Sequence, residues 1–204
     1  MGKAGGVHVQ RALRTTGPKN LELIQDSVAY LKKHCDELIY DAEHCFDGYR
    51  LNPEYALDTL RAAEAGGADC VVLCDTNGGT DFMRLGEIVA TVRKEFPQAQ
   101  IGIHAHNDMG YGVANSMAAV HEGVAMVQGT INGVGERVGN ANLITILANL
   151  AKKGVPTRGD IDVTQLKSLA NLVYELANLP PDTRQPYVGD SAFAHKGGVH
   201  VDAV

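Results

Sequence analysis

The chain has 204 residues, enough for one domain with a sizeable core, and its 45% apolar and 21% charged content is that of a globular protein. A net charge of −6 with no basic stripe argues against nucleic acid as a partner, and no apolar run approaches the roughly 20 residues of a membrane span. The N-terminal stretch lacks the apolar centre of a signal peptide, and Cys35, Cys45, Cys70 and Cys74 form no CxxC pair, so a reducing cytoplasm is the expected compartment.

Residues 1–19 are poorly patterned. Asn20 is expected to cap a helix to about Lys33, with Leu23, Val28 and Leu31 on its apolar face. Residues 38–43 read as a short strand, and Asn52-Pro53 opens a second helix that ends near Gly66-Gly67. Cys70-Val71-Val72-Leu73-Cys74 is a continuous apolar run, the pattern of a strand buried on both faces, and makes its two cysteines small buried hydrophobes rather than ligands. Thr80 or Asp81 caps a third helix, which Pro97 stops. Residues 101–106 form a strand, 112–122 a helix and 125–131 another strand. A Gly-rich loop over 133–140 leads to a helix ending near Lys153, and a last helix spans about 163–178. Pro180-Pro181 marks a boundary, giving a domain over 1–179 and the start of a linker or arm over 180–204.

Strand and helix alternate at intervals of about thirty residues, the rhythm of a parallel α/β sheet. The chemically loaded residues fall after the strands, where a (β/α)8 barrel keeps its active site. Four strands are legible against the eight of a closed barrel, so the expectation is the C-terminal half of a barrel, about four βα units, with the other half missing on the N-terminal side.

His104 and His106 lie two apart at the end of a strand, so both project from one face. A single histidine there is more often a satisfied structural group. Two of them, followed by Asn107-Asp108, point to a divalent metal, without naming the metal or the reaction.

The segments HAHNDMG and NGVGERVGNA, about thirty residues apart, together resemble the metal-dependent acyl-CoA condensing enzymes of the isopropylmalate, homocitrate and citramalate synthase family. DAEHCFDGYRLNPEYAL is most similar to the branch that condenses acetyl-CoA with pyruvate to give citramalate, a route to isoleucine. SAFAHKGGVHVDAV resembles the region that follows the barrel in these enzymes. The resemblance implies a partial TIM barrel and a homodimer, with a 2-keto acid and acetyl-CoA as small-molecule partners. It implies metal ligands at His104, His106 and Asn140, with Mg or Mn favoured and Zn admitted. The family's aspartate ligand, in an Asp-Arg-(Glu or Asp) motif, has no counterpart here. The isolated chain is therefore expected to bind metal weakly, to associate, and to lack synthase activity.

By the same resemblance Glu43 lies near the keto acid as an acid/base, Thr76 holds its carboxylate, and His200 reaches the site of a neighbouring subunit as an acid/base, with His195 the lesser candidate. The 133–137 loop and Arg137 would meet coenzyme A phosphates. Read without the resemblance, Glu43 is a strand-end carboxylate in solvent and 75–78 an ordinary turn. Glu136 and Arg137 then pair with each other across a tight turn, and both tail histidines are mobile. Within the family the alternatives are synthases for other keto acids, such as 2-isopropylmalate or homocitrate synthase. Beyond them stand the related lyases, a His-x-His hydrolase and an inactive barrel fragment.

Overall fold

The computed structural model describes residues 1–195. By contact density the chain divides into two units, 1–129 with 135–141, and 130–134 with 142 onward.

The first unit is a five-stranded sheet, all parallel, in chain order β1 (Gly2–Lys3), β2 (Ile39–Glu43), β3 (Cys70–Asp75), β4 (Gln100–Ala105) and β5 (Met126–Gln128). Its helices are α1 (Gly6–Arg11), α2 (Gly17–Lys32), α3 (Cys45–Leu51), α4 (Pro53–Ala65), α5 (Phe82–Glu95) and α6 (Gly112–His121). The sheet has one strand more than the apolar pattern predicts. β1 is only two residues long and carries Gly2, so it leaves no alternation to read. α1 and α3 were also not legible. α3 is preceded by His44, whose backbone is left-handed at φ 58°, a conformation that turns the chain abruptly out of β2.

The helices expected from sequence form where local chemistry starts them. α2 begins three residues before the expected cap, at Gly17-Pro18, because Thr16 accepts from the Lys19 N–H and proline suits a first helical turn. Asn52 caps α4 through the Tyr55 N–H, and Asp81, rather than Thr80, caps α5 through the Arg84 N–H.

The alternation of strands sorts two layers. Tyr40 and Ala42 on β2, Val71 and Leu73 on β3, and Ile101 and Ile103 on β4 pack with Leu60, Leu85, Val89 and Val92 of the helices into the main core. The opposite, inner face carries Asp41 and Glu43, then Cys70, Val72 and Cys74, then Gly102 and His104, then Met126 and Gln128. Cys70, Val72 and Cys74 cluster there with Met126, and burial pushes the Cys70 thiol up to about 11, so these thiols behave as small apolar groups. Gly102 allows this layer to close, since a Cβ there would stand 2.8 Å from Val72 Cγ2.

The inner face is concave. Asp41 on β2 accepts a hydrogen bond of 3.0 Å from Gln128 Nε2 on β5. On a flat sheet three strand spacings would hold those backbones about 14 Å apart, beyond the combined reach of the two side chains. The sheet therefore curls as an arc of a (β/α) barrel does.

The second unit contains α7 (Leu143–Lys153) and α8 (Leu166–Leu176). Ile144, Ala148, Leu166, Ala170 and Val188 form its core. α8 starts at Leu166, with the 3-10 turn Val163–Gln165 in front of it, instead of running as one helix from 163. The segment after Pro180-Pro181 is packed up to Val188, where an unpacked arm was expected. The reason is that Gln185 is buried between Tyr174, which donates to its Oε1 at 2.9 Å, and Asn132, which accepts from its Nε2 at 3.1 Å. His200 lies outside the described residues. Among the described residues no helix is long and apolar enough to cross a membrane.

Candidate metal centre

β4 delivers the two histidines. His104 is its fifth residue, and His106 follows the strand end with its backbone bridged to Asn140. Their rings stand edge to face, centroids 5.1 Å apart. The loop bearing Asn140 is tied to the strand by Asn107 N–H to Gly139 O at 2.9 Å and Ala141 N–H to Ala105 O at 2.8 Å. Those bonds hold Asn140, which is buried, with its Nδ2 3.0 Å from His104 Nε2. Gly135 makes room for it: a Cβ there would fall 1.7 Å from Asn140 Oδ1. The three residues expected as ligands are thus brought to one place.

The donor set fits a divalent ion. His106 Nδ1 lies 2.6 Å from the Thr76 carbonyl oxygen, which can only accept. His104 Nδ1 lies 2.8 Å from Gln128 Oε1. Both rings therefore carry their proton on Nδ1 and leave Nε2 bare, the arrangement of metal-binding imidazoles held by an outer hydrogen bond. Among the described residues no three His, Cys, Asp or Glu side chains are grouped to hold a metal; the side chain beside His104 Nε2 is the Asn140 amide.

Thr76 sits in the turn after β3. Its hydroxyl oxygen accepts from the His44 N–H at 2.8 Å, leaving its own proton free to donate. Buried Asp75 anchors this turn through Thr80, whose hydroxyl donates at 2.9 Å and whose N–H donates at 3.3 Å. Burial raises the Asp75 carboxyl above the usual carboxylate range, and the Thr80 bonds oppose that rise.

Glu43, the last residue of β2, is not a freely solvated carboxylate. It is largely buried and ion-paired with Lys3 on β1. Beside it His44 stacks on His8, ring centroids 3.6 Å apart, and burial lowers the His44 pKa.

Arg137 is already engaged. Its Nε and Nη2 donate to the two carboxylate oxygens of Asp108 at 2.7 and 2.8 Å, and Nη2 also donates to Thr76 O at 2.9 Å. Glu136 adds a looser contact of 3.8 Å. The fork that was expected to face phosphates closes the Gly-rich loop onto the 106–110 segment. Lys3, Asp41 and Gln128 were not singled out from sequence. A polar residue inside a strand is a visible signal, but only the curl of the sheet shows what it meets.

These elements define a barrel-type α/β protein with a His-His-Asn site at the C-terminal end of its sheet. The chain belongs to the HMGL-like family, which it matches over residues 2–173. It is 56% identical over 204 residues to an (R)-citramalate synthase of Geobacter sulfurreducens and 54% identical over 204 residues to one of Aquifex aeolicus, in each case over 100% of this chain. The match spans 38% and 39% of those proteins, so the chain corresponds to well under half the length of these curated relatives. Homocitrate and 2-isopropylmalate synthases align with 97% of the chain at 32–35% identity. A hydroxymethylglutaryl-CoA lyase from Pseudomonas aeruginosa superposes with a TM-score of 0.74 at 20% identity, covering 88% of this chain and 62% of that one, which shows the common fold.

Proposed function

We propose that this chain forms the metal-binding part of an (R)-citramalate synthase, condensing acetyl-CoA with pyruvate. The carrying observation is the bare Nε2 of His104 beside Asn140, with the His106 ring edge to face against the His104 ring and its own Nδ1 held by a carbonyl. The high identity to citramalate synthases, against 32–35% for synthases of other keto acids, supports pyruvate as the partner.

In this reading residues 1–179 belong to the barrel, and His104, His106 and Asn140 hold a divalent ion. Mg or Mn suits mixed nitrogen and oxygen ligation, with Zn as the alternative. When bound, such an ion supplies a Lewis acid that polarises the ketone of the keto acid. Thr76 orients the keto acid by donating its free hydroxyl proton to the carboxylate. Glu43 serves as the acid/base residue, held in place by its ion pair with Lys3. Glu43 takes a proton from the acetyl methyl group, that carbon bonds to the ketone carbon as the C=O π pair moves to the oxygen, the oxygen takes up a proton, and water then cleaves the thioester, releasing coenzyme A. Arg137 acts here as a clamp on the Asn140 loop and not as a phosphate ligand. His200 is assigned to the site of the second subunit of a homodimer. The four free cysteines fit a cytoplasmic enzyme acting on small molecules.

The test is release of free coenzyme A by a full-length chimera in which this chain replaces the matching segment of the Geobacter sulfurreducens (R)-citramalate synthase, supplied with acetyl-CoA and either pyruvate, 2-oxoisovalerate or 2-oxoglutarate. Pyruvate-dependent release that EDTA abolishes supports the proposal. Release only with another keto acid, or release indifferent to EDTA, overturns it.

A further inference from the structure

We propose that Asp41 and Gln128 are positioning residues that decide which ring nitrogen of His104 is bare; the inference rests on the metal-site reading above. Gln128 is the register partner of His104, one strand over on the same inner face. Its amide has two different ends, and either end can in principle face the histidine. Asp41 removes that freedom. A carboxylate only accepts hydrogen bonds, so the Gln128 NH2 must face Asp41, 3.0 Å away. That places Oε1 2.8 Å from His104 Nδ1, and an oxygen that only accepts requires the proton on Nδ1. Nε2 is then a lone pair, directed at Asn140 Nδ2 3.0 Å away. Each link has one allowed direction, and the direction is set at the far end, two strands beyond β4.

His106 reaches the same state differently, through the backbone oxygen of Thr76. A backbone carbonyl cannot be reversed by rotating a side chain. The two histidines therefore differ in how their tautomer is held, one by main chain and one by a side-chain relay. Only the second is open to disruption by substituting residues that never touch the ion. Removing an outer partner of a ligating histidine typically lowers metal affinity by about 10- to 100-fold.

The test uses the 204-residue chain labelled with 15N-histidine, without metal, at about pH 8, where free histidine is neutral. Ring nitrogen spectra assign the tautomer of each histidine, and Mn2+ titration measures affinity separately. Wild type is expected to show His104 entirely as the Nδ1–H form. Gln128→Met and Asp41→Leu should both convert His104 to a mixture or to the Nε2–H form and lower Mn2+ affinity by about 10- to 100-fold. Asp41→Asn presents either an accepting or a donating end to Gln128, so it no longer fixes the amide and should give a mixture of His104 tautomers. The His106 signals should stay unchanged throughout, which reports that the sheet is still folded. Wild-type His104 in the Nε2–H form overturns the inference, as does an unmoved spectrum in both Gln128→Met and Asp41→Leu. If the spectra change as expected but wild type takes up no Mn2+, the relay stands and the metal-site reading falls.

Discussion

Arg137 grips Asp108 with two parallel hydrogen bonds of 2.7 and 2.8 Å, joining the Gly-rich loop to the segment that follows the His-x-His pair. The Arg137 guanidinium beside Asp108 holds that carboxyl below its usual range. Both groups face water, so the pair contributes little to global stability but fixes the loop locally. Arg137→Lys keeps the charge and loses the fork. The expected result is an almost unchanged melting midpoint with faster amide exchange at Gly139 and Asn140. Exchange as slow as in wild type would show that the backbone bonds of the loop suffice.

Gly135 is predicted to be the most sensitive glycine of the site. In Gly135→Ala the new methyl group would occupy the place of Asn140 Oδ1, 1.7 Å from it. Asn140 must rotate or the loop must shift. Mn2+ affinity should fall at least about tenfold, the scale of losing a well-placed ligand contact, with the far-ultraviolet circular dichroism spectrum retained. Unaltered affinity would mean Asn140 is not a donor.

Much of this was legible in the chain itself, and the reasons for the rest are physical. His104 and His106 announce themselves because strand alternation needs no tertiary information. The buried run at 70–74 is equally plain. Lys3 was invisible because a two-residue strand has no period. Asp41 and Gln128 were invisible because their meeting depends on the curvature of the sheet, which no local window encodes. The packing of 182–188 escaped because Pro180-Pro181 reads as a break, while Gln185 and Val188, isolated in a turn-rich stretch, give no period.

His44 makes stability depend on pH. Its pKa is lowered first by burial and then by the nearby His8 and Lys3, against the opposing Asp47 carboxylate 3.6 Å from its Nδ1. The unfolded chain therefore binds this proton more readily. The contribution is present above the unfolded value, about 6.5, and is lost as pH falls through the lowered folded value. His44→Asn accepts the left-handed backbone and cannot titrate. Chemical denaturation at several pH values should show a shallower loss of stability below about pH 6.5 in the variant. Parallel curves would remove His44 from the account.

Glu43→Gln, made in a full-length chimera carrying this chain, should lower turnover by about 10²- to 10⁴-fold, as for a positioned acid or base. Metal affinity should change little, since Glu43 pairs with Lys3 and not with the histidines. Unchanged turnover would return Glu43 to the role of a structural ion-pair partner.

β1 leaves an open sheet edge beside a cavity of about 560 Å3 lined by Leu23, Ile24, Leu31 and Tyr40. Open edges and apolar grooves favour association. The isolated 204-residue chain should sediment as a concentration-dependent mixture larger than a monomer. A single monomeric species across a hundredfold dilution range would contradict this.

The site itself is tested most directly by counting Mn2+ ions bound per chain, by electron paramagnetic resonance, in the 204-residue chain and in His104→Ala, His106→Ala and Asn140→Ala. The account predicts one saturable site in the parent chain, weakened in Asn140→Ala and lost in both histidine variants. Equal binding in all four proteins would contradict it.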